Sequence, residues 1–295
     1  MNAIDSALSP RLVVACAAQL GEGPVWVARD AALYWVDIKA PRIWRWQPAS
    51  EQVRNWEPPC RVSAIAPRAR GGFVAATDRG FALIDLAAER YDFIGDPEAD
   101  RPGNRFNDGK VDRQGCFWAG TMDDAEQAAS GALYRLDAGL NWERFDEGYG
   151  VTNGPAFSAD GAFLYHSDSV KREVYRFPVG ASGRLGARAP FLRFGPEHGY
   201  PDGMTTDADG CLWIAFWDGA CVRRFAPDGT PLARIDLPVP RPTSCAFGGE
   251  ALDQLFITSA WTGLGEGELA AWPLSGALFA VEPGVRGSEQ PLFAG

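Results

Sequence analysis

Apolar positions along this chain fall in short runs of β-branched and aromatic residues, and no long stretch keeps the helical spacing i, i+3, i+4, i+7. The runs are Leu33-Tyr34-Trp35-Val36-Asp37, Phe73-Val74-Ala75-Ala76-Thr77, Phe117-Trp118-Ala119-Gly120-Thr121, Phe163-Leu164-Tyr165-His166-Ser167, Leu212-Trp213-Ile214-Ala215-Phe216 and Leu255-Phe256-Ile257-Thr258-Ser259. They start at 33, 73, 117, 163, 212 and 255, which defines six units 40 to 49 residues apart. Several units continue through a polar turn into another strand, as in "SGALYRLDA", "KREVYRFPV", "ACVRRFAPDG" and "SGALFAVEP". Four short strands at this period is the pattern of a propeller blade. The expectation is all-β: a six-bladed β-propeller of four-stranded antiparallel blades, one domain over residues 1–295. The N-terminal "RLVVACA" is expected to close the last blade, because closure removes open sheet edges.

Two turn signals precede the aromatic runs. The nearer one, Asp112 to Gly115, Ser158 to Gly161 and Asp207 to Gly210, reads as the hairpin between the first two strands of a blade. The farther one lies ten or eleven residues before the run and is expected where the chain enters the innermost strand: Glu22-Gly23-Pro24, Val62-Ser63, Asn107-Asp108-Gly109, Asn153-Gly154-Pro155, Asp202-Gly203-Met204 and Ser244-Cys245. Rotation about a central axis places these positions on one circle. That circle reads Glu22, Ser63, Asn107, Asn153, Asp202, Ser244: two acids, two amides and two hydroxyls. Any one Asn-Gly or Asp-Gly is an ordinary turn. Their coincidence in the repeat is what points to a site in the channel.

Composition narrows the chemistry. A net charge of -10 and the absence of a basic run argue against a nucleic-acid partner. Six cysteines without a C-x-x-C pair indicate neither a thiolate metal site nor a disulfide framework, and read as buried free thiols. Two histidines, His166 and His198, are too few for a His-based triad or zinc cage; the first reads as packed in a strand and the second as lying in a loop. "GEGEL" around Glu266 and "DDAE" read as solvated loops. The N-terminus has Asp5 and only Arg11 before or within its apolar patch, unlike a secretory leader, and no apolar run reaches membrane-spanning length. A cytoplasmic monomer or weak oligomer is expected. Glu22, Asn153 and Asp202 offer oxygen donors only, which suit a hard divalent cation, whether catalytic or merely bracing the blades.

The motifs "LGEGPVW", "RFNDGKVD", "FWAGTM", "TNGPAFS" and "YPDGMTTDADG" resemble, in order and over nearly the whole chain, those of the senescence-marker-protein, gluconolactonase and regucalcin family of six-bladed propellers. The resemblance implies a sugar lactonase with one divalent ion (Ca, Mn, Mg, Zn or Fe) in the channel. It implies Glu22, Asn153 and Asp202 as metal ligands and Arg105 and Asn107 as sugar contacts. The acid that some members use after "GTM" falls on Asp123, Asp124 or Glu126. The expected reaction is hydrolysis of an aldonolactone such as gluconolactone, xylonolactone or arabinonolactone to the aldonic acid. In it the ion polarises the carbonyl, and Asp202 acts as base or orients a metal-bound hydroxide. The alternatives are a phosphotriesterase-like metal hydrolase and a non-catalytic calcium-binding regulatory protein.

Overall fold

A computed structural model describes residues 8–295; the residues before Leu8, Asp5 among them, on which the reading of the N-terminus partly rested, lie outside the described residues. Six four-stranded antiparallel sheets account for the strands of the described residues. In five of them the four strands follow in sequence order from the axis outward, over residues 21–56, 62–95, 104–149, 152–193 and 200–236, here blades I to V. Blade VI takes three strands from residues 242–281 and its outermost strand, Arg11–Val14, from the N-terminus, paired antiparallel with Leu278–Val281. The "GEGEL" segment departs from expectation: Glu266–Ala271 is a short α-helix, where Glu268 reaches back to the Gly265 amide at 2.9 Å and caps the first turn. None of the described helices is long and apolar enough to cross a membrane.

The apolar runs alternate along each strand, so each sheet buries both faces against its neighbours. Six core clusters result, and each lies between two adjacent blades. One packs Trp35, Trp44 and Trp46 of blade I against Phe256 of blade VI; another packs Phe81 of blade II against Phe106 and Phe117 of blade III. No cluster crosses the axis, so the inner strands leave room there for polar side chains to meet without interrupting the core.

Each inner strand has a register shift near its start, between Glu22 and Val25, Val62 and Ala64, Phe106 and Asp108, Asn153 and Ala156, Pro201 and Met204, and Pro242 and Ser244. The farther turn signal therefore lies inside the strand as a β-bulge, rather than at the strand's entry as expected. Asn, Asp, Gly and Pro favour a bulge for the same reasons that they favour a turn. The bulge turns consecutive side chains of the inner strand away from strict alternation.

The opposite face, where the first hairpins lie, is strapped by the C-terminus. Arg286 accepts from the Ala208 amide (2.8 Å), Gly287 donates to Leu252 (2.8 Å), Phe293 donates to Pro67 (2.9 Å) and Ala294 donates to Gly115 (3.0 Å). Phe293 is fully buried between blades II and III. Gln290 and Pro291 of this strap line a cavity of about 30 Å³ together with Asp108 and Lys110.

Candidate active site in the channel

The bulges bring blades I, III, IV and V together through their side chains. Asn107 of blade III donates to the Thr152 carbonyl (2.7 Å) and to Asn153 Oδ1 (3.1 Å) of blade IV. Asn153 Nδ2 donates to Ser169 Oγ (2.9 Å), and that hydroxyl donates to the Pro201 carbonyl (2.6 Å) of blade V, next to Asp202. The amide of Asn153 is thus held at both ends, with its oxygen toward Asn107. Glu22 of blade I and Asp202 are in side-chain contact. Each also accepts an amide hydrogen from the glycine that follows it, Gly23 at 2.9 Å for Glu22 and Gly203 for Asp202. Gly203 is required by closeness: a Cβ there would lie 2.2 Å from Ser244 Oγ of blade VI.

Arg105 begins the network. Its Nη1 donates to the Phe106 carbonyl (2.9 Å) and to Asn107 Oδ1 (2.8 Å), and its Nε to Asp124 Oδ1 (2.5 Å). Asp124 also pairs with Arg61 Nη1 of blade II at 2.8 Å. Of the acids after "GTM", Asp124 is the one that meets Arg105; Asp123 instead closes its own loop through the Ala125, Gln127 and Ala128 amides. Arg105 is only 6% exposed. Nη2 is its one nitrogen without a hydrogen bond among the described residues.

Burial of Glu22 raises its pKa well above the ordinary carboxylate value, and the negative charges of Asp202 and Asp108 add to this. Asp202 is raised well above its usual value by burial first and by Asp108 next. Asp108 is itself raised to about 6 by burial, with Lys110 and the Gly109 and Gly154 amides acting the other way. Burial lowers Lys110, although Asp108 lies beside it, and Lys110 Nζ donates to the Met204 carbonyl at 2.9 Å. At Asp124 burial also raises the pKa, but the hydrogen bonds from Arg61 and Arg105 outweigh it and the net shift is downward. Among the described residues neither Glu22 nor Asp202 has an ion-pair partner, so the axis holds carboxylates that a cation would return to their anionic form.

Among those residues there is also no group of three or more His, Cys, Asp or Glu side chains placed to hold an ion. Asn153 adds an amide oxygen at the bulge of its inner strand, where Glu22 and Asp202 stand in theirs. Of the two ring hydroxyls, Ser63 serves the fold, while Ser244 packs against Gly203 of blade V. Ser63 donates to the Phe106 carbonyl (2.7 Å), and at blade VI the bulge holds Thr243, whose Oγ donates to the Gly21 carbonyl and lies 2.9 Å from Thr258 Oγ. His166 is fully buried in its strand against Tyr149, with a ring-centroid distance of 4.9 Å, and burial lowers its pKa to about 3. His198 ends the short 3-10 turn Pro196–His198, and all six cysteines are free.

Sequence reading passed over Asp108, Ser169 and Arg61. Asp108 follows Asn107 in the same bulge, so its signal was present but was absorbed into a turn. Ser169 and Arg61 come from segments outside the inner strands, and nothing in the repeat marks them.

A model described as the SMP-30/Gluconolactonase/LRE-like region matches residues 20–261. Among curated proteins, the 6-deoxy-6-sulfogluconolactonase of Pseudomonas putida is 40% identical over 277 residues, covering 94% of this chain and 95% of that protein. The pentonolactonase XacC of Haloferax volcanii is 35% identical over 283 residues, covering 93% and 94%. Among solved structures, a calcium-binding regucalcin from Agrobacterium tumefaciens superposes with a TM-score of 0.93 at 28% identity, covering 97% of each chain. The chain belongs to the SMP-30/gluconolactonase/LRE-like family.

Proposed function

We propose that this protein is a sugar lactonase that opens an aldonolactone to its aldonic acid with the help of one divalent metal ion. The observation that carries the reading is the pair of buried carboxylates, Glu22 and Asp202, in contact at the axis without a cationic partner and flanked by the held amide of Asn153. Relatives that are named as lactonases and a solved neighbour that is named as calcium-binding support it.

Glu22, Asp202 and the Asn153 amide oxygen would hold the ion. When bound, the ion neutralises the two carboxylates and polarises the lactone carbonyl. Asp202 takes the proton of the attacking water, at a carboxylate that the Gly203 amide holds in place. Arg105 Nη2 and the Asn107 edge orient the sugar hydroxyls, while Asp124 fixes the guanidinium plane. The C-terminus straps the far face, and substrate would enter above the inner-strand bulges.

The test is a pH-stat screen of sugar lactones on protein stripped of metal and then resupplied with single ions. Activity is expected to fall on chelation and to return with more than one of Mn²⁺, Mg²⁺, Ca²⁺, Fe²⁺ or Zn²⁺, because oxygen ligands discriminate weakly among such cations. Full activity in protein shown by elemental analysis to be metal-free would overturn the metal's role. Organophosphate turnover exceeding lactone turnover, or metal and ligand binding without any turnover, would replace the lactonase reading.

A further inference from the structure

Arg172 occupies a place that the reaction as described does not use. It closes the turn after the second strand of blade IV, with its amide donating to the Ser169 carbonyl at 3.0 Å, and Ser169 is the residue that holds Asn153. Its backbone is left-handed, with φ of 54°. The side chain reaches across to blade V: Nε donates to the Gly199 carbonyl at 3.2 Å, and the guanidinium carbon stands 4.0 Å from the centre of the Tyr200 ring. Tyr200 opens the inner strand Tyr200–Thr206, two residues before Asp202. Arg172 therefore bridges the rim between the two blades that carry Asn153 and Asp202.

Several other cations at this rim are neutralised. Arg61 and Arg105 share Asp124, Lys171 pairs with Asp168 at 2.8 Å, and Arg241 pairs with Asp218 at 2.6 Å. Lys39, which donates to Thr262, and Arg79, which lies over Phe93, are without a carboxylate partner among the described residues. Arg172 has no carboxylate partner among the described residues, and its two terminal nitrogens make no hydrogen bond there. One edge is pinned by Gly199 and one face is covered by Tyr200, which leaves a positively charged fork already held in a single orientation. Such a fork suits an oxyanion with several equivalent oxygens, which it can bind through two parallel N–H···O bonds.

Resting on the lactonase reading, we propose that the substrate is an aldonolactone bearing a sulfonate or phosphate at the carbon farthest from the lactone carbonyl, and that Arg172 recognises that group. The oriented guanidinium beside the strands of Asn153 and Asp202 fits such a group, and the similarity to a sulfogluconolactonase agrees with this class.

The test compares kcat/KM for D-glucono-1,5-lactone, its 6-phosphate and its 6-deoxy-6-sulfo analogue, with the metal-supplied wild type, Arg172→Met and Arg172→Lys. The wild type is expected to prefer an anionic lactone at least about 10-fold. Arg172→Met should lower kcat/KM for that lactone by about 30-fold, chiefly through KM, while changing the uncharged lactone by no more than about twofold. Arg172→Lys keeps the charge without the planar fork and should fall between them. Raising the salt from about 0.05 to 0.5 M should erode the preference only where Arg172 is present. The two anionic lactones separate sulfonate from phosphate. Turnover of the uncharged lactone with no anion preference, or an equal loss on all three lactones in Arg172→Met, would overturn the role of Arg172 and leave the lactonase reading intact. Absence of turnover of every lactone would remove the underlying reading, and this inference with it.

Discussion

Glu22 and Asp202 are expensive residues for the fold to keep. Each is buried, which moves both pKa values toward the neutral form; the charges of Asp202 and Asp108 add to the rise at Glu22, and that of Asp108 to the rise at Asp202. Groups held this way destabilise the protein without an ion and stabilise it with one. Glu22→Gln and Asp202→Asn are therefore expected to abolish most lactonase activity. In metal-stripped protein they should leave Tm unchanged or raise it, and they should lose much of the Tm rise that added metal produces. Differential scanning fluorimetry with and without metal measures this. If both variants keep near wild-type turnover with saturating metal, the site lies elsewhere. Arg105 acts at the same scale but on the other partner. Its guanidinium is committed to Asp124, Phe106 and Asn107, so Arg105→Ala should weaken use of the lactone by about 10-fold or more and disturb metal affinity far less. Calorimetric titration of metal beside steady-state kinetics separates the two effects.

The element that matters most is the bulged inner strand. An unbulged strand alternates its side chains between two apolar interfaces and offers the axis little; the extra residue frees one position for polar use in each blade. Below the site, Asp108 and Lys110 of the Asn104–Val111 strand tie the bulges together. Asp108 accepts from the Gly154 amide at 2.9 Å, beside Asn153, and Lys110 donates to the Met204 carbonyl at 2.9 Å, two residues past Asp202. Removing the cation alone leaves Asp108 facing Glu22 and Asp202 unopposed. Lys110→Met should therefore cost about 2 kcal/mol, through the buried charge that it leaves without a nearby cation. Adding Asp108→Asn should recover much of that loss. Urea unfolding of the single and double variants tests it, and an additive double variant would mean the two groups are not coupled.

At the scale of the whole molecule, the ring is closed in two ways. The Arg11–Val14 strand completes blade VI, and the C-terminal strap crosses the far face and inserts Phe293 between blades II and III. Phe293→Ala should cost about 3–5 kcal/mol, because a fully buried ring is lost at a junction that blade packing alone cannot refill. Thermal unfolding followed by Trp fluorescence reads the change. A loss below about 1 kcal/mol would mean that the strap contributes little to holding blades II and III together.

Much of this was legible from the repeat. The spacing of the aromatic runs determined the blade number, because four-stranded sheets of such short strands need that many residues per unit. The shared position of Glu22, Asn107, Asn153 and Asp202 determined that these polar groups converge, because rotation about one axis maps equivalent positions onto one circle. The resemblance in "EGP", "RFND", "TNGP" and "PDG" supplied the roles expected of them. Local signals failed where one residue preference serves two geometries: Asn107-Asp108-Gly109 reads equally as a turn or a bulge, and "GEGEL" as a loop or a capped helical turn. The tertiary structure alone decided that Asp124, and not Asp123 or Glu126, meets Arg105, and that Ser169 holds Asn153. It also decided that Arg172 stands uncommitted over Tyr200. These contacts join different loops and blades at no fixed sequence spacing, so periodicity carries no trace of them; they exist only once the ring has closed.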